Sequence, residues 1–257
     1  MPDTYTVPLS TVLAVLLGSI RAGVWLALCP PFNNRGAPAP VKALLSVAIA
    51  LPLAPTLAPQ VPPRMSAGVL IANAVEQAVV GAALAFVTAL LFAAVQVAGN
   101  VIDLVGGFTL AFAMDPFSLQ GNAVFGRFYN LIGMALMFAT DSHQLILRGF
   151  ARSYTAIPLT DAMSLRVFAD IITGGLADMF LAGLQIAAPL VAVMLAVDVA
   201  LGLLTRAAPA LNPFSFGFPA KVLLTLLIVG SAMMLLPNAI ANLTDRSVTL
   251  VLRLLDA

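Results

Sequence analysis

Between Glu76 and Asp103 the chain runs for 26 residues without one charged side chain. Similar gaps occupy 222–244 (23 residues), 43–63 (21), 179–197 (19) and 4–20 (17). About 20 apolar residues in a helix cross a hydrocarbon layer of ~30 Å, so gaps of this length define long apolar helices. Only 9% of the 257 residues are charged and 61% are hydrophobic, against roughly 25% and 45–50% in soluble domains. Such a chain cannot clothe a water-facing surface. That excludes an ordinary soluble enzyme, a disordered tail and a nucleic-acid binder. A net charge of +1 points to no anionic partner, and the lone Cys29 excludes a disulfide framework or a multi-thiolate metal site. No Lys or Arg precedes Arg21, so the basic n-region of a cleaved leader is missing and the first apolar stretch is expected to remain in the mature protein.

The gaps predict hydrophobic helices at about 7–31, 41–59, 67–103, 123–150, 167–205 and 218–236, hence an all-α, polytopic membrane protein. A last helix, about 238–256, is amphipathic. Asp245, Arg246, Thr249, Arg253 and Asp256 share one face and Ile240, Leu243, Val248, Val251 and Leu255 the other, so it is expected at an interface or against a partner. Pro52, Pro55 and Pro59 are expected to interrupt the second segment, and Pro189 lies deep in the fifth. The third and fifth segments are too long for one upright span, and Lys or Arg occurs in nearly every connection, which defeats the positive-inside test. These conflicts point to hairpins packed within a protein assembly. Gly81, Ala85, Ala89 and Ala93 recur every four residues beside a second row, Ala74, Ala78 and Ala82. Small residues so spaced let helices approach closely, in a seam inside one subunit or between subunits.

Ionisable groups inside apolar segments are costly and invite a functional reading. Here they are Arg21, Glu76, Asp103, Asp178 and Asp198. Arg21 and Glu76 each lie within a helix and could neutralise each other, and a structural role for them is a buried pair or a capped helix end. Asp103 continues a polar stripe with Gln96 and Asn100, and Arg206 suits the C-terminal dipole of its helix. Constellations for catalysis are missing: His143 is the only histidine, and the chain holds no GxSxG elbow and no GxxxxGK[ST] phosphate loop. No cofactor is expected. A boundary cap is the expected role of His143. The most unusual stretch is 104–124, where Gly106 and Gly107 break a helix before Phe108, Leu110, Phe112 and Met114 alternate with small residues, ending on Asp115-Pro116 and Gly121-Asn122. A glycine-hinged loop so loaded must insert into lipid, a groove or a pore, where an apolar constriction blocks flow by dewetting.

The stretch 189–221 resembles the signature of the FliR family of flagellar export proteins, whose injectisome relatives are called SctT. The likeness lies in Leu201–Leu204, Arg206, Ala208-Pro209 and Leu211, followed by Gly217-Phe218-Pro219. Upstream, Arg21, Pro30, Pro40-x-Lys42, the Glu76…Gly81 helix, Gly107…Asp115-Pro116, His143 and Ile157-Pro158 fall in the family's order. Departures are an alanine-rich composition and Pro213 within the LN-x-F element. The resemblance covers essentially the whole chain and implies one membrane domain over 1–257. Its 1–165 would be FliP-like, with a plug loop at about 104–124, and its 166–257 a FliQ-like hairpin. It further implies an export gate built with FliP-like and FliQ-like subunits beside FlhB-like and FlhA-like components. That gate, in the inner membrane at the flagellar basal body, passes unfolded proteins. On the matching positions Gly106, Gly107, Phe108, Leu110, Phe112, Met114, Asp115 and Pro116 would form the pore plug, and Arg21, Glu76, Asp103, Asp198, Arg206 and Lys221 the structural or coupling charges. The competing reading is a stand-alone transporter relaying protons over Glu76, Asp103 and Asp198; a distant third is an intramembrane hydrolase using His143.

Overall fold

A computed structural model describes residues 8–33, 38–109, 123–161, 163–208 and 213–255, with the backbone alone at 165, 213, 214 and 250–255. Among the described residues all regular structure is helical. The helices are α1 (Leu9–Leu28), α2 (Ala39–Leu57), α3 (Ala67–Val105), α4 (Val124–Ala139), α5 (Ser142–Ala156), α6 (Leu165–Ala207), α7 (Pro213–Ala232) and α8 (Leu236–Leu255), with short 3-10 turns at Ala58–Gln60 and Met233–Leu235. The chain is an all-α polytopic membrane protein. Five helical stretches have the length and apolarity to cross a bilayer.

Two expectations are corrected. The predicted 123–150 helix is two helices, broken at Thr140 and Asp141, where Asp141 takes a left-handed φ of 56°. Asp is one of the few residues that tolerates that region, and Thr140 Oγ1 reaches both Leu136 O (2.9 Å) and Ser142 Oγ (2.8 Å) across the turn. The prolines, in contrast, do not interrupt: α2 runs through Pro52 and Pro55 and α6 through Pro189. Proline's fixed φ is already helical, so flanking hydrogen bonds can carry a helix past a single lost donor. Only near Pro59 does α2 tighten into a 3-10 turn.

The chain divides into two compact units, and the division falls inside α3, α5, α6 and α8. The first comprises Met1–Leu90, Gln144–Gly175 and Arg246–Ala257. Here α1 and α2 are antiparallel: a Cβ on Gly18 would meet Leu57 and Ala50, and one on Gly23 would meet Ser46. Buried Ala14, Leu17, Trp25, Leu26 and Leu57 fill the core. Trp25 stacks on Phe150 of α5 at 4.4 Å, and Phe150 meets Tyr154 edge-on. The amphipathic α8 lies against its own chain, with Val248 filling the space beside Gly149 of α5.

The second unit comprises Leu91–His143 and Leu176–Asp245. α4 crosses α3 with Gly133 on Val95, and Gly183 of α6 lies against Val97 and the Ala94 carbonyl. α6 and α7 form an antiparallel hairpin. Gly217 faces Leu201, Lys221 pairs with Asp198, and Thr225 Oγ1 donates to Met194 Sδ at 3.7 Å. One side of this hairpin is bare: Phe180, Leu184, Leu195, Leu203, Leu223 and Leu227 are all more than half exposed.

Candidate functional site

A chain this apolar concentrates its chemistry in a few polar nodes, and the first unit holds one around Arg21. This arginine projects from the middle of α1 and is fully buried. Its Nε donates to Gln77 Oε1 (2.7 Å), Nη1 to the Ser153 carbonyl (2.8 Å) and Oγ (3.3 Å), and Nη2 to the Ile157 carbonyl (2.8 Å). The guanidinium carbon also lies 4.5 Å from the Tyr154 ring centroid. Ser153 and Ile157 flank the C-terminal end of α5, where unpaired carbonyls and the negative end of the dipole favour a cation. Arg21 therefore caps α5 from another helix. Of the two structural roles open to Arg21, the helix-end cap is the one found and the pair with Glu76 is not; Glu76 is half-buried on α3, one residue before the Gln77 that takes Arg21. The physical reason is that carbonyl dipoles, an amide and a ring face supply the compensation a carboxylate would have given.

The node extends through side chains that charge-based reasoning missed. Gln77 Nε2 donates to the Leu159 carbonyl (3.1 Å), while Gln60 Oε1 accepts from Leu159 N (3.1 Å). Tyr154 donates its hydroxyl to the Gly18 carbonyl at 2.7 Å, and burial raises its pKa against the opposing pull of Arg21. It stays a protonated donor at any physiological pH. The signal was present: Gln77 is the first residue of the 26-residue uncharged gap, a long polar side chain where apolar ones surround it. Gly81 has no Cβ because one would lie 2.5 Å from the Arg21 carbonyl oxygen. That part of the small-residue seam is internal to the chain.

In the second unit the node is Asp103, on the last turn of α3 and 1% exposed. Its Oδ1 accepts from Phe125 N (3.1 Å) and its Oδ2 from Gly126 N (3.0 Å). These are orphan amides at the N-terminus of α4, whose own N-cap, Ala123, has no side chain to offer them. A carboxylate there also meets the positive end of the helix dipole. Close approach is permitted by Gly99, where a Cβ would strike the Phe125 carbonyl, and by Gly126, where it would strike the Asn100 side chain. Of the polar stripe, Gln96 and Asn100 are exposed and only Asp103 is buried.

This clasp joins the two ends of the glycine-hinged stretch. Gly106 packs against Thr225, and Gly107 takes a φ of 85° beside the Phe218 ring. Phe108 meets Phe125 edge-on, centroids 5.0 Å apart. Of the proposed plug, Gly106, Gly107 and Phe108 are thus located, while Leu110, Phe112, Met114, Asp115 and Pro116 lie outside the described residues. Lys221 Nζ and Asp198 Oδ1 form a 2.7 Å ion pair across the α6–α7 hairpin. Arg206 is exposed in the last turn of α6. His143 does not cap the segment boundary: its ring lies on Phe138 at 5.2 Å, and its buried Nδ1 has no hydrogen-bond partner. Among the described residues no three of His, Cys, Asp and Glu converge on a metal-sized site.

The chain as a whole is similar to a family of known proteins. The family described as bacterial export proteins, family 1, matches residues 12–247. The flagellar biosynthetic protein FliR of Bacillus subtilis (strain 168) is 29% identical over 219 residues, 84% of each chain. FliR of Escherichia coli (strain K12) is 31% identical over 218 residues, 84% of this chain and 83% of that one. The surface presentation of antigens protein SpaR of Shigella flexneri is 30% identical over 154 residues, 60% of this chain and 59% of its own. With nearly the whole chain matched, and with relatives above 30% identity over four-fifths of their length, the chain belongs to the FliR family of bacterial export proteins.

Proposed function

We propose that this chain is a subunit of the type III protein export gate in the bacterial inner membrane. It joins FliP-like and FliQ-like subunits, beside FlhB-like and FlhA-like components, in a channel for unfolded flagellar proteins at the basal body. Its residues 1–165 play the FliP-like part and 166–257 the FliQ-like hairpin. Its role is structural and non-catalytic, and the driving energy comes from other components.

The observation that carries this reading is the bare hairpin. At 1.5 Å per residue, α6 with its 43 residues has a contour of about 65 Å, twice a hydrocarbon layer of ~30 Å. Only 17% of its most apolar window is covered by its own chain, against 67% for α3. Lipid cannot cover an upright apolar helix of that length, whereas the apolar faces of sister hairpins can. The first unit agrees. Phe150 and Tyr154 hold α5 against Trp25 and Gly18 in the inner half of α1, while Arg148 and Arg152 stand exposed on α5. If hydrocarbon bathed α1 on that side, two arginines would sit at membrane depth, a cost of several kcal/mol. An apolar helix screened by a basic one fits a protein assembly better than a lipid-facing span.

The glycine-hinged stretch supplies the plug of this channel, with Leu110, Phe112 and Met114 as its apolar seal and the Asp103 clasp as its base. The relay reading loses ground, because both oxygens of Asp103 are held by backbone amides and Asp198 is paired with Lys221. Deleting 110–116, which spares the Gly106–Phe108 anchor, should leave the gate assembled and raise the ion leak of cells producing it at least tenfold. Conductance of the deletion gate equal to that of the unaltered one rejects the plug.

A further inference from the structure

The bare side of the α6–α7 hairpin carries a regular pattern of its own. Stepping along α6 from Asp178 by three and four residues in turn, every position as far as Arg206 is exposed, Leu181, Gln185, Ala188, Leu195 and Val199 among them. A stride averaging 3.5 residues is that of two helices wound about each other with a slight left-handed twist. Ala187, Leu190 and Met194, on the opposite side of α6, are buried against its own chain. Ala192 and Gly202 complete the seam, and a Cβ on Gly202 would meet open space. Asp198 lies off this line and is paired with Lys221. Among the described residues, no hydrogen bond or ion pair answers the side chains of Asp178 and Gln185.

We propose that this seam is covered by one apolar helix of a different subunit, which carries a Lys or Arg at the level of Asp178 and a hydrogen-bonding side chain at the level of Gln185. Three observations select that partner. Lipid is disfavoured by Gln185, which stands about 10 Å along the helix from Asp178, where an acyl chain offers its amide nothing to bond. Ala188, Ala192 and Gly202 stand in the same line, and small residues so placed let a second backbone approach closely. A second copy of this chain is disfavoured by charge. Inserted in the same membrane with the same orientation and packed in register, it would set Asp178 on Asp178 and Arg206 on Arg206, and like charges so juxtaposed cost several kcal/mol. A different helix with a base opposite Asp178 removes the conflict, and a carboxylate enclosed by an assembly needs such a partner. The inference rests on the gate reading and adds to it the chemistry of the helix that meets this seam.

The test uses the full tagged chain in native membranes, with a photoreactive residue at position 181, 188 or 195, or in place of Val193, which is exposed but off the seam. After photolysis, the captured peptides are identified by mass spectrometry. The three seam positions should capture one and the same helix of another subunit, at least fivefold more than position 193 captures it. That helix should carry Lys or Arg within one turn of the level of Asp178. Asp178→Lys should cut capture at 188 at least fivefold, and reversing the partner's base to Glu should restore it. Asp178→Glu should leave capture unchanged. Because Asp178 is exposed on its own chain, these variants should fold as the unaltered protein does. Capture of phospholipid or of a second copy of this chain at 188 overturns the proposal and leaves the gate standing. So does a captured helix without a base at that level, a different helix at each seam position, or capture that Asp178→Lys does not change. A chain isolated with no other subunit overturns the gate reading itself, and this inference with it.

Discussion

Arg21→Leu is expected to remove folded protein from the membrane. The substitution breaks four hydrogen bonds donated by one buried cation, and bonds to charged groups contribute about 1.5–3 kcal/mol each. It also strands the Ser153 and Ile157 carbonyls and the Gln77 amide oxygen in an apolar interior. Even with relaxation, the net loss should exceed ~4 kcal/mol, comparable to breaking a buried ion pair and a large fraction of a typical folding stability of 5–15 kcal/mol. Arg21→Lys should do little better. A single ammonium cannot reach the four acceptor atoms on three residues that the guanidinium fork meets. The check is the yield and thermal midpoint of the chain in mild detergent. Glu76→Gln serves as the contrast: because Glu76 is not the partner of Arg21, its midpoint should move by no more than about a degree. A collapse with Glu76→Gln matching that of Arg21→Leu would return the salt bridge to the argument.

The second large effect is expected at Asp103. Asp103→Ala leaves the Phe125 and Gly126 amides unpaired at the start of α4, where loss of a cap costs about 1–2 kcal/mol. Burial raises that toward the desolvation cost of two orphan donors, so about 3 kcal/mol is expected in total. Asp103→Asn keeps one acceptor oxygen and should lose about half as much. The proposed plug hangs from this clasp, so export should fall before stability does. Asp103→Asn should accumulate near normally yet secrete flagellar protein several-fold less. If Asp103→Asn exports normally while Asp103→Ala unfolds, the carboxylate is a helix cap and no more.

Much of the fold was legible because charge is so rare. The long gaps between charges lie mostly in helices, and the predicted boundaries fall within a few residues except at the α4–α5 break. The α4–α5 break carries neither glycine nor proline; it depends on Asp141 tolerating a left-handed φ, and its sequence signal is the polar run Thr140-Asp141-Ser142-His143-Gln144, which the apolar pattern on either side outweighed. Prolines misled in the opposite direction, because a helix can continue past a missing donor. At the site, Arg21 and Asp103 stood out by charge in apolar surroundings, but their partners did not. Arg21 is answered by Ser153 and Ile157, 132 and 136 residues away, and main-chain carbonyls look alike in every sequence. Charge complementarity suggested Glu76, whereas the helix end supplied the negative charge as a dipole. Small residues were ambiguous for a similar reason: Gly81 makes room for a backbone, while Ala82, Ala85 and Ala89 border a cavity, and spacing alone does not separate the two.

The central claim is that this chain's uncovered apolar surface belongs to an assembly. Its most direct test is the mass and composition of the complex isolated with the tagged chain from native membranes in mild detergent. The gate account predicts one particle that retains FliP-like and FliQ-like subunits. Substituting Leu195 and Leu203 on the bare hairpin with Glu should release the FliQ-like subunit first. A chain that is isolated alone, monodisperse and folded, with its α6–α7 face covered only by detergent, would contradict it.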